Sequence, residues 1–245
     1  MSTLALVIAD TSQHLLARIA LQRSLQGLDV SQVLIYSDRA EAWPGLPVQL
    51  ITPLQGIGAY NRLITQRLAQ DLRADHALIV QYDGFVLDAA EFSPHFRHYD
   101  YIGAPWPHLP DTPVGNGGFS WRSRRLVEAV ARLPYDGESE AEDLFICRSA
   151  RPALAQQGLR WAPPALAAHF AVESVPVPHP TFGFHGVFHL PAVYRENTAV
   201  LLQHLAPRTL QKWAPLLRPA FVRLGVQELA AYEARLAEIE AVATA

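Results

Sequence analysis

The sequence predicts an α/β protein whose mostly parallel central sheet is flanked by helices and followed by a helical C-terminal extension. In the N-terminal half, short apolar runs of strand length alternate with segments of helical periodicity. These runs are continuously apolar, which is typical of strands that are buried on both faces of a parallel sheet. From about Thr198 the pattern is helical to the end. We therefore expect one α/β domain over residues 1–197 and a helical extension over residues 198–245.

The elements of the N-terminal half follow from its apolar runs. A first strand is predicted at Leu4–Ala9, and Asp10, Thr11 and Ser12 after it are favourable N-cap residues for a helix. That helix is predicted over residues 15–25, and Gly27 is suited to end it. The remaining elements of this half are strands at residues 33–36, 48–51 and 77–80 and a helix at residues 60–72.

Proline and glycine divide the second half into shorter pieces. Residues 101–118 hold too many of them for regular structure. Beyond this segment we predict a strand at residues 119–121, helices at residues 124–133 and 140–150, a proline-rich segment at residues 163–189 and helices from Thr198 onward. In the last of these, Pro215 and Pro219 must start, kink or break a helix.

Composition excludes several classes of protein. Half of the 245 residues are apolar, and the net charge of −3 without a long basic run gives no reason to expect a nucleic-acid partner. The single cysteine, Cys147, excludes an intramolecular disulfide. The first ten residues lack the basic start of a signal peptide, and no apolar run approaches the roughly 20 residues that span a bilayer. We expect a cytoplasmic protein without a transmembrane segment. A peripheral membrane contact, or a homo-oligomer formed through the C-terminal helices, stays open.

Three aspartates follow predicted strands. Asp10, Asp38 and Asp83 come after the first, second and fourth strands of the N-terminal half, and ligands of parallel sheets bind at the carboxyl ends of strands. Asp83 lies in the sequence Gln81-Tyr82-Asp83-Gly84. Its carboxylate either holds a divalent cation, for which Mg²⁺ and Mn²⁺ suit oxygen ligands, or caps a turn.

A glycine-rich segment precedes the predicted strand at residues 119–121. Three glycines within residues 115–118 allow a close approach of the backbone to a ligand, and Asn116 between them can hydrogen-bond to sugar hydroxyls. The segment is not a phosphate-binding loop, because no Gly-Lys-Ser/Thr follows. The alternative is a tight turn without a ligand.

Two interpretations are open for each of Glu142, Asp143 and His185. Carboxylates at a helix start interact favourably with the helix dipole, and the same position holds a general base rigidly at the edge of a cleft. His185 lies between glycines and aromatic residues in Phe182-Gly183-Phe184-His185-Gly186. Such an imidazole either completes a metal site or packs as an ordinary polar residue.

The order of these motifs resembles GT-A glycosyltransferases. It is similar to the β-1,4-galactosyltransferase group, which has a Phe-Asn-Arg helix start, Asp-x-Asp, a Gly-Gly segment, Gly-Glu-Asp and a late histidine. The match looks closer to a DUF5672-like family of uncharacterised bacterial and viral proteins that are treated as glycosyltransferases. The motifs shared with that family lie at residues 81–83, 101–106, 115–120, 142–143 and 182–186. The resemblance covers about residues 1–190 and none of the C-terminal helices.

The resemblance implies a role for each matching residue. Asp83 would bind the metal on the donor diphosphate together with His185. Gln81 replaces the first carboxylate of Asp-x-Asp, which would weaken metal binding because an amide is a weaker ligand. The other donor contacts implied are Arg62, with Asp10 and Asp38 near the base and ribose. The segment Asn116, Gly117 and Gly118 would shape the sugar pocket.

The implied activity is transfer of a sugar from a nucleotide-sugar donor, a UDP-sugar first among them, to a hydroxyl of a glycan or lipid-linked acceptor. Asp143, preceded by Glu142, would act as the catalytic base of an inverting single displacement, with Mn²⁺ or Mg²⁺ as the cation. This activity would serve glycan or cell-surface polysaccharide synthesis. Two alternatives stay open: a nucleotidyltransferase, against which the missing basic glycine-rich loop after the first strand counts, and a nucleotide-sugar or glycan-binding module without turnover.

Overall fold

The computed structural model describes residues 2–174, 177 and 179–243. The strands are β1 (Leu4–Ala9), β2 (Gln32–Ser37), β3 (Val48–Leu50), β4 (His76–Val80), β5 (Tyr101–Ile102), β6 (Ser120–Ser123), β7 (Ala171–Val172) and β8 (Gly183–Phe184). The helices are α1 (His14–Leu25), α2 (Gly56–Arg62), α3 (Leu68–Asp71), α4 (Arg124–Val130), α5 (Glu142–Leu144), α6 (Arg151–Gln156), α7 (Pro164–Phe170), α8 (Leu190–Val193), α9 (Thr198–His204), α10 (Pro207–Lys212), α11 (Ala214–Leu224) and α12 (Val226–Ala243).

The central sheet has six strands in the order β3-β2-β1-β4-β6-β5. Strands β3, β2, β1 and β4 run parallel, whereas β6 runs antiparallel to β4 and β5 antiparallel to β6. This mixed, mostly parallel α/β architecture with flanking helices and a helical C-terminal extension confirms the predicted fold class. Since β6 runs in the opposite direction, its first residue lies at the same edge of the sheet as the carboxyl end of β4.

The sheet is buried on both faces, as its continuously apolar strands predict. All six residues of β1 are buried, and they alternate between two hydrophobic clusters. Leu6 and Ile8 pack with the buried side of α1, whereas Val7 packs with Ile64 and Leu68 on the other face. The period of two along a strand thus divides one apolar run between two helical layers.

Most predicted elements are present, with different bounds. The predicted helix at residues 60–72 begins earlier, at Gly56, and its centre is a π-helical turn, Leu63–Arg67. A second π-helical turn, Phe145–Ser149, follows α5. Asp10 does not lie at the N-cap of α1, which is Gln13, although it bonds to the backbone just before the helix. The short strand β5 and the two-stranded sheet of β7 and β8 were not predicted, because two-residue strands leave no periodicity in a sequence.

The C-terminal helices pack on the sheet domain. Leu201, Phe221 and Tyr232 belong to the same hydrophobic cluster as Leu6 and Ile8 of β1. Pro215 lies in the first turn of α11, and Pro219 lies inside that helix. Residues 244 and 245 of the predicted extension lie outside the described residues. No helix within the described part has the length and apolarity needed to cross a membrane.

Gly103 allows two loop segments at the end of β5 to touch. A Cβ atom added to Gly103 would lie 1.5 Å from the carbonyl oxygen of Gly115, so the backbone would have to move. We expect Gly103→Ala to lower the free energy of unfolding by about 3 kcal/mol, as overpacking against backbone does, measured by urea denaturation. Gly158→Ala is the control, because open space surrounds it and only its φ of +79° opposes a side chain, at about 1 kcal/mol. Equal losses in the two variants would contradict the close contact.

Candidate functional site

Several of the predicted site residues meet at the carboxyl end of β4. Ile79 of β4 pairs with Ser120 of β6, so the residues after Ile79 and those before Ser120 lie side by side. This pairing brings Gln81 next to Gly118. A Cβ added to Gly118 would lie 2.8 Å from Oε1 of Gln81. Two motifs that are 37 positions apart in the sequence therefore form one surface.

The Gly117-Gly118 segment is the centre of this surface. A Cβ added to Gly118 would lie 2.2 Å from Nε2 of His185, and one added to Gly117 would lie 1.8 Å from Oε1 of Glu142. The Gly117 backbone N–H donates to Oδ2 of Asp143 at 3.0 Å. The absence of side chains at both glycines allows His185, Glu142 and Asp143 to converge on the same stretch of backbone.

Asn116 adopts a left-handed backbone conformation, with φ of 73°. Its Oδ1 accepts hydrogen bonds from the N–H groups of Gly118, at 3.0 Å, and Phe119, at 3.4 Å, which closes the turn before β6. Its Nδ2 is buried and lacks a hydrogen-bond partner among the described residues. The side-chain oxygen of Asn116 therefore stabilises a tight turn, whereas its side-chain nitrogen has no hydrogen-bond partner in the described structure.

Glu142 and Asp143 at the start of α5 have different surroundings. Asp143 is partly exposed, and its Oδ1 accepts from the Leu144 N–H at 2.8 Å. Glu142 is buried and forms an ion pair with the buried Arg122 of β6, with 2.9 Å between Nη2 and Oε1. Burial alone would lower the pKa of the Arg122 guanidinium, but the Glu142 carboxylate raises it overall. Glu142 therefore holds α5 against the sheet, and Asp143 is the carboxylate that remains accessible.

His185 is brought to Asp83 by pairing of their chain segments. The Gly186 N–H donates to the carbonyl oxygen of Asp83 at 2.8 Å. Nδ1 of His185 lies 3.1 Å from Oε1 of Glu173, and its Nε2 lies 4.0 Å from Oδ1 of Asp83. Burial alone would lower the pKa of His185, but the hydrogen bond with Glu173 and the charge of Asp83 raise it overall. Burial raises the pKa of the Asp83 carboxyl, although the charge of His185 opposes this rise.

The donor set at Asp83 and His185 fits a divalent cation in part. Within the described ranges, no group of three or more His, Cys, Asp or Glu side chains is arranged to hold a metal ion. Oδ1 of Asp83 is nevertheless buried without a hydrogen-bond partner in the described structure, and so is Oε2 of Glu173. The 4.0 Å between Oδ1 of Asp83 and Nε2 of His185 is close to twice a metal–ligand distance of about 2 Å. Two ligands of this chain therefore fit a cation, and its others would come from elsewhere.

Asp10, Asp38 and Arg62 have local hydrogen-bond partners instead of contacts with the glycine segment among those that the described structure shows. Oδ1 of Asp10 accepts from the N–H groups of Ser12 and Gln13, and burial raises the pKa of this carboxyl. Although burial opposes it, the hydrogen bond with His14 at 2.7 Å holds the pKa of Asp38 below its usual range. Nη1 of Arg62 donates to Oε1 of Glu138 at 2.7 Å. All three thus stabilise the local backbone or a neighbouring loop in this structure.

Two cavities adjoin the site. A smaller one of about 280 Å³ lies at the ends of β1 and β4, and residues that line it include Asp10, Gly56, Tyr60 and Gln81. A larger one of about 860 Å³ lies beyond Glu173, between the β7–β8 region and helices α8 and α11. Glu173 therefore separates the Asp83–His185 pair from the larger cavity.

Sequence reasoning missed Arg122 and Glu173. Arg122 is one of three arginines within four positions, and only the pairing of β6 with β4 shows that it is the buried one. Glu173 lies twelve positions before His185 in a proline-rich segment without a recognisable motif. No signal in the sequence indicated Glu173.

A family model described as "Protein of unknown function (DUF5672)" matches residues 48–185, which is more than half of the chain. The matched range contains Gln81, Asp83, the glycine segment, Glu142-Asp143 and His185. No curated protein matches the sequence.

Solved structures with a similar fold include three transferases. Mannosyltransferase PcManGT from Pyrobaculum calidifontis, in complex with GDP-Man and Mn²⁺, has a TM-score of 0.47 and 15% identity over 98% of this chain and 75% of its own. Glucosyl-3-phosphoglycerate synthase from Mycobacterium tuberculosis, with Mn²⁺ and UDP-Glc, has a TM-score of 0.47 and 12% identity over 83% and 79%. A glycosyltransferase involved in glycosylation of the major capsid of PBCV-1 has a TM-score of 0.49 and 10% identity over 75% and 93%. These likenesses assign no activity to this chain.

The Arg122–Glu142 pair predicts a specific pattern of stability. Arg122→Met leaves the Glu142 carboxylate buried without a counter-charge, so we expect a loss of about 3–5 kcal/mol in the free energy of unfolding. The double variant with Glu142→Gln removes that charge and should recover at least half of the loss. Urea denaturation of the native protein, both single variants and the double variant measures this. Additive losses in the double variant would contradict a direct pairing.

Proposed function

The chain belongs to the DUF5672 family, and we propose that it is a nucleotide-sugar-dependent glycosyltransferase of the GT-A type. One observation carries the proposal: Asp83, Asp143 and His185 converge on the Gly117-Gly118 segment at the carboxyl edge of a mostly parallel sheet. This edge is where α/β proteins bind their ligands. The order of the motifs along the chain, which resembles GT-A enzymes, supports the same assignment.

The smaller cavity is the proposed site of the nucleoside part of the donor. Asp10 and Gln81 supply polar groups at one end of it, and Tyr60 supplies an aromatic wall. A UDP-sugar is the first candidate, by the resemblance to GT-A enzymes. To contact the nucleotide, Arg62 would have to break its ion pair with Glu138. That ion pair is exposed to solvent and therefore weak. Asp38 would contribute from the neighbouring strand end.

A Mn²⁺ or Mg²⁺ ion is the proposed cofactor, held by Asp83 and His185 together with donor phosphates. The unpartnered Oδ1 of Asp83 supports this, because burial of a carboxylate without a partner costs free energy that a cation would offset. When bound, the ion would stabilise negative charge on the diphosphate leaving group. Glu173 orients the His185 ring through Nδ1, so that Nε2 faces Asp83. The amide of Gln81 is expected to make metal binding weaker than a second carboxylate would.

Asp143 is the proposed general base. Its hydrogen bond from the Gly117 N–H fixes the carboxylate beside the sugar-binding segment while one face stays accessible. Asp143 would accept the proton of the attacking acceptor hydroxyl as that oxygen bonds to the anomeric carbon and the nucleoside diphosphate departs. A single displacement of this kind inverts the anomeric centre. Glu142 would contribute by holding α5 in place through Arg122. Cell-surface glycan synthesis in the cytoplasm remains the expected setting.

The first test is release of nucleoside diphosphate from UDP-, GDP- and dTDP-sugars in the presence of mixed glycan acceptors. We expect one donor to be consumed, and Asp143→Asn to lower the rate at least about 100-fold because a general base contributes that much. Asp29→Asn is the matched control, since this exposed aspartate lies at the opposite edge of the sheet, before β2. Donor binding without release would favour the binding module, whereas no binding of any donor would overturn the assignment.

The metal site gives an independent test by thermal unfolding. We expect Mn²⁺ together with the donor to raise the Tm of the native protein, because a ligand that binds only the folded state stabilises it. Asp83→Asn should abolish most of this rise, and Asp29→Asn should keep it. An equal rise in Asp83→Asn would remove Asp83 from the proposed ligand set.

A further inference from the structure

The larger cavity has no role in the donor site. It encloses about 860 Å³, and its walls come from the end of β7, the segment before β8, α8 and α11. Much of the wall is apolar, including Leu87, Phe188 and Leu224. A cavity of this volume is within the range that holds a small organic ligand.

The charged groups of this cavity are mostly basic. Arg195 and Arg223 line it, and both are exposed. Neither forms an ion pair with any side chain in residues 2–174, 177 and 179–243. Glu173 is the carboxylate among the lining residues, and its Oε1 is already bonded to His185. Two guanidinium groups without carboxylate partners beside one cavity favour an anionic ligand.

The cavity lies next to the proposed catalytic centre, with Glu173 between the two. Glu173 lines it and also contacts Nδ1 of His185, whose other nitrogen faces Asp83. Oε2 of Glu173 is buried and unpartnered in the described part of the chain. A molecule in the cavity would therefore contact chiefly its basic and apolar walls.

We propose that this cavity binds an anionic molecule, a phosphate monoester or a carboxylate, through Arg195 and Arg223. The anion site does not rest on the proposed transferase function. The apolar walls suit a non-sugar part of the same molecule. Two sources share this chemistry: a phosphate on an apolar carrier and a water-soluble phosphorylated compound.

The test is calorimetric binding of hexyl phosphate, glycerol phosphate and the uncharged hexyl glucoside, without any nucleotide sugar. We expect hexyl phosphate to bind, and Arg195→Gln and Arg223→Gln each to weaken that binding about tenfold or more, as loss of a charge-assisted hydrogen bond does. Arg208→Gln is the control, because this exposed arginine of α10 carries the same charge and does not line the cavity. Circular dichroism checks that all variants fold.

The outcomes separate the two sources and the two proposals. Tighter binding of hexyl phosphate than of glycerol phosphate supports a phosphate on an apolar carrier, and equal binding supports a water-soluble phosphorylated ligand. Binding of hexyl glucoside as tight as that of hexyl phosphate, or phosphate binding that both arginine variants retain, would overturn the anion site. Because no donor is present, such a failure would leave the proposed sugar transfer standing, and absence of donor turnover would leave a positive binding result intact.

Discussion

The buried ion pair between Arg122 and Glu142 is the interaction on which the candidate site depends. Arg122 lies on β6 inside the sheet, and Glu142 is the first residue of α5, so the pair connects that helix to the sheet. Nε of Arg122 also donates to Oγ of Ser120, which in turn donates to the carbonyl oxygen of Gly117. One guanidinium thus connects the acidic helix, the strand and the glycine segment. Replacing a buried ion pair with apolar residues can leave a protein equally stable. We therefore infer that this pair matters because it fixes the position of α5 and not because it adds net stability.

Most strands and helices that the sequence predicted are recognisable from the residue types of one local segment. The buried residues of α1 recur at helical spacing within one short segment. The continuous apolar run of β1 correctly indicated a sheet that is covered on both faces. What the sequence left out are elements defined by pairing with distant segments. β5 consists of two residues that form a strand only because β6 lies beside them. The π-helical turns add a residue to a helical turn, and no periodicity could reveal that.

Local chemistry and tertiary contact contribute differently to the candidate site. The positions of Gln81 and Asp83 followed from a strand and its carboxyl end, so that a sheet-edge argument sufficed. The hydrogen bond between His185 and Glu173 depends on how a proline-rich segment folds. No sequence pattern predicts that fold. Asp10 and Asp38 hydrogen-bond to nearby backbone and to His14 in this structure, and their proposed contacts with the donor stay predictions.

The hydrophobic core that the sheet shares with the C-terminal helices limits when a chain under synthesis can complete its fold. Leu4 of the central strand and Ile239 of α12 belong to one cluster, so the sheet is not fully covered on that face until the last helix has been synthesised. β1 also pairs with β4, more than 70 positions away, and contacts of such long range slow folding. During translation the early strands would expose apolar surface for most of the synthesis time. Removal of the C-terminal helices would therefore leave one face of the sheet with apolar side chains exposed to solvent.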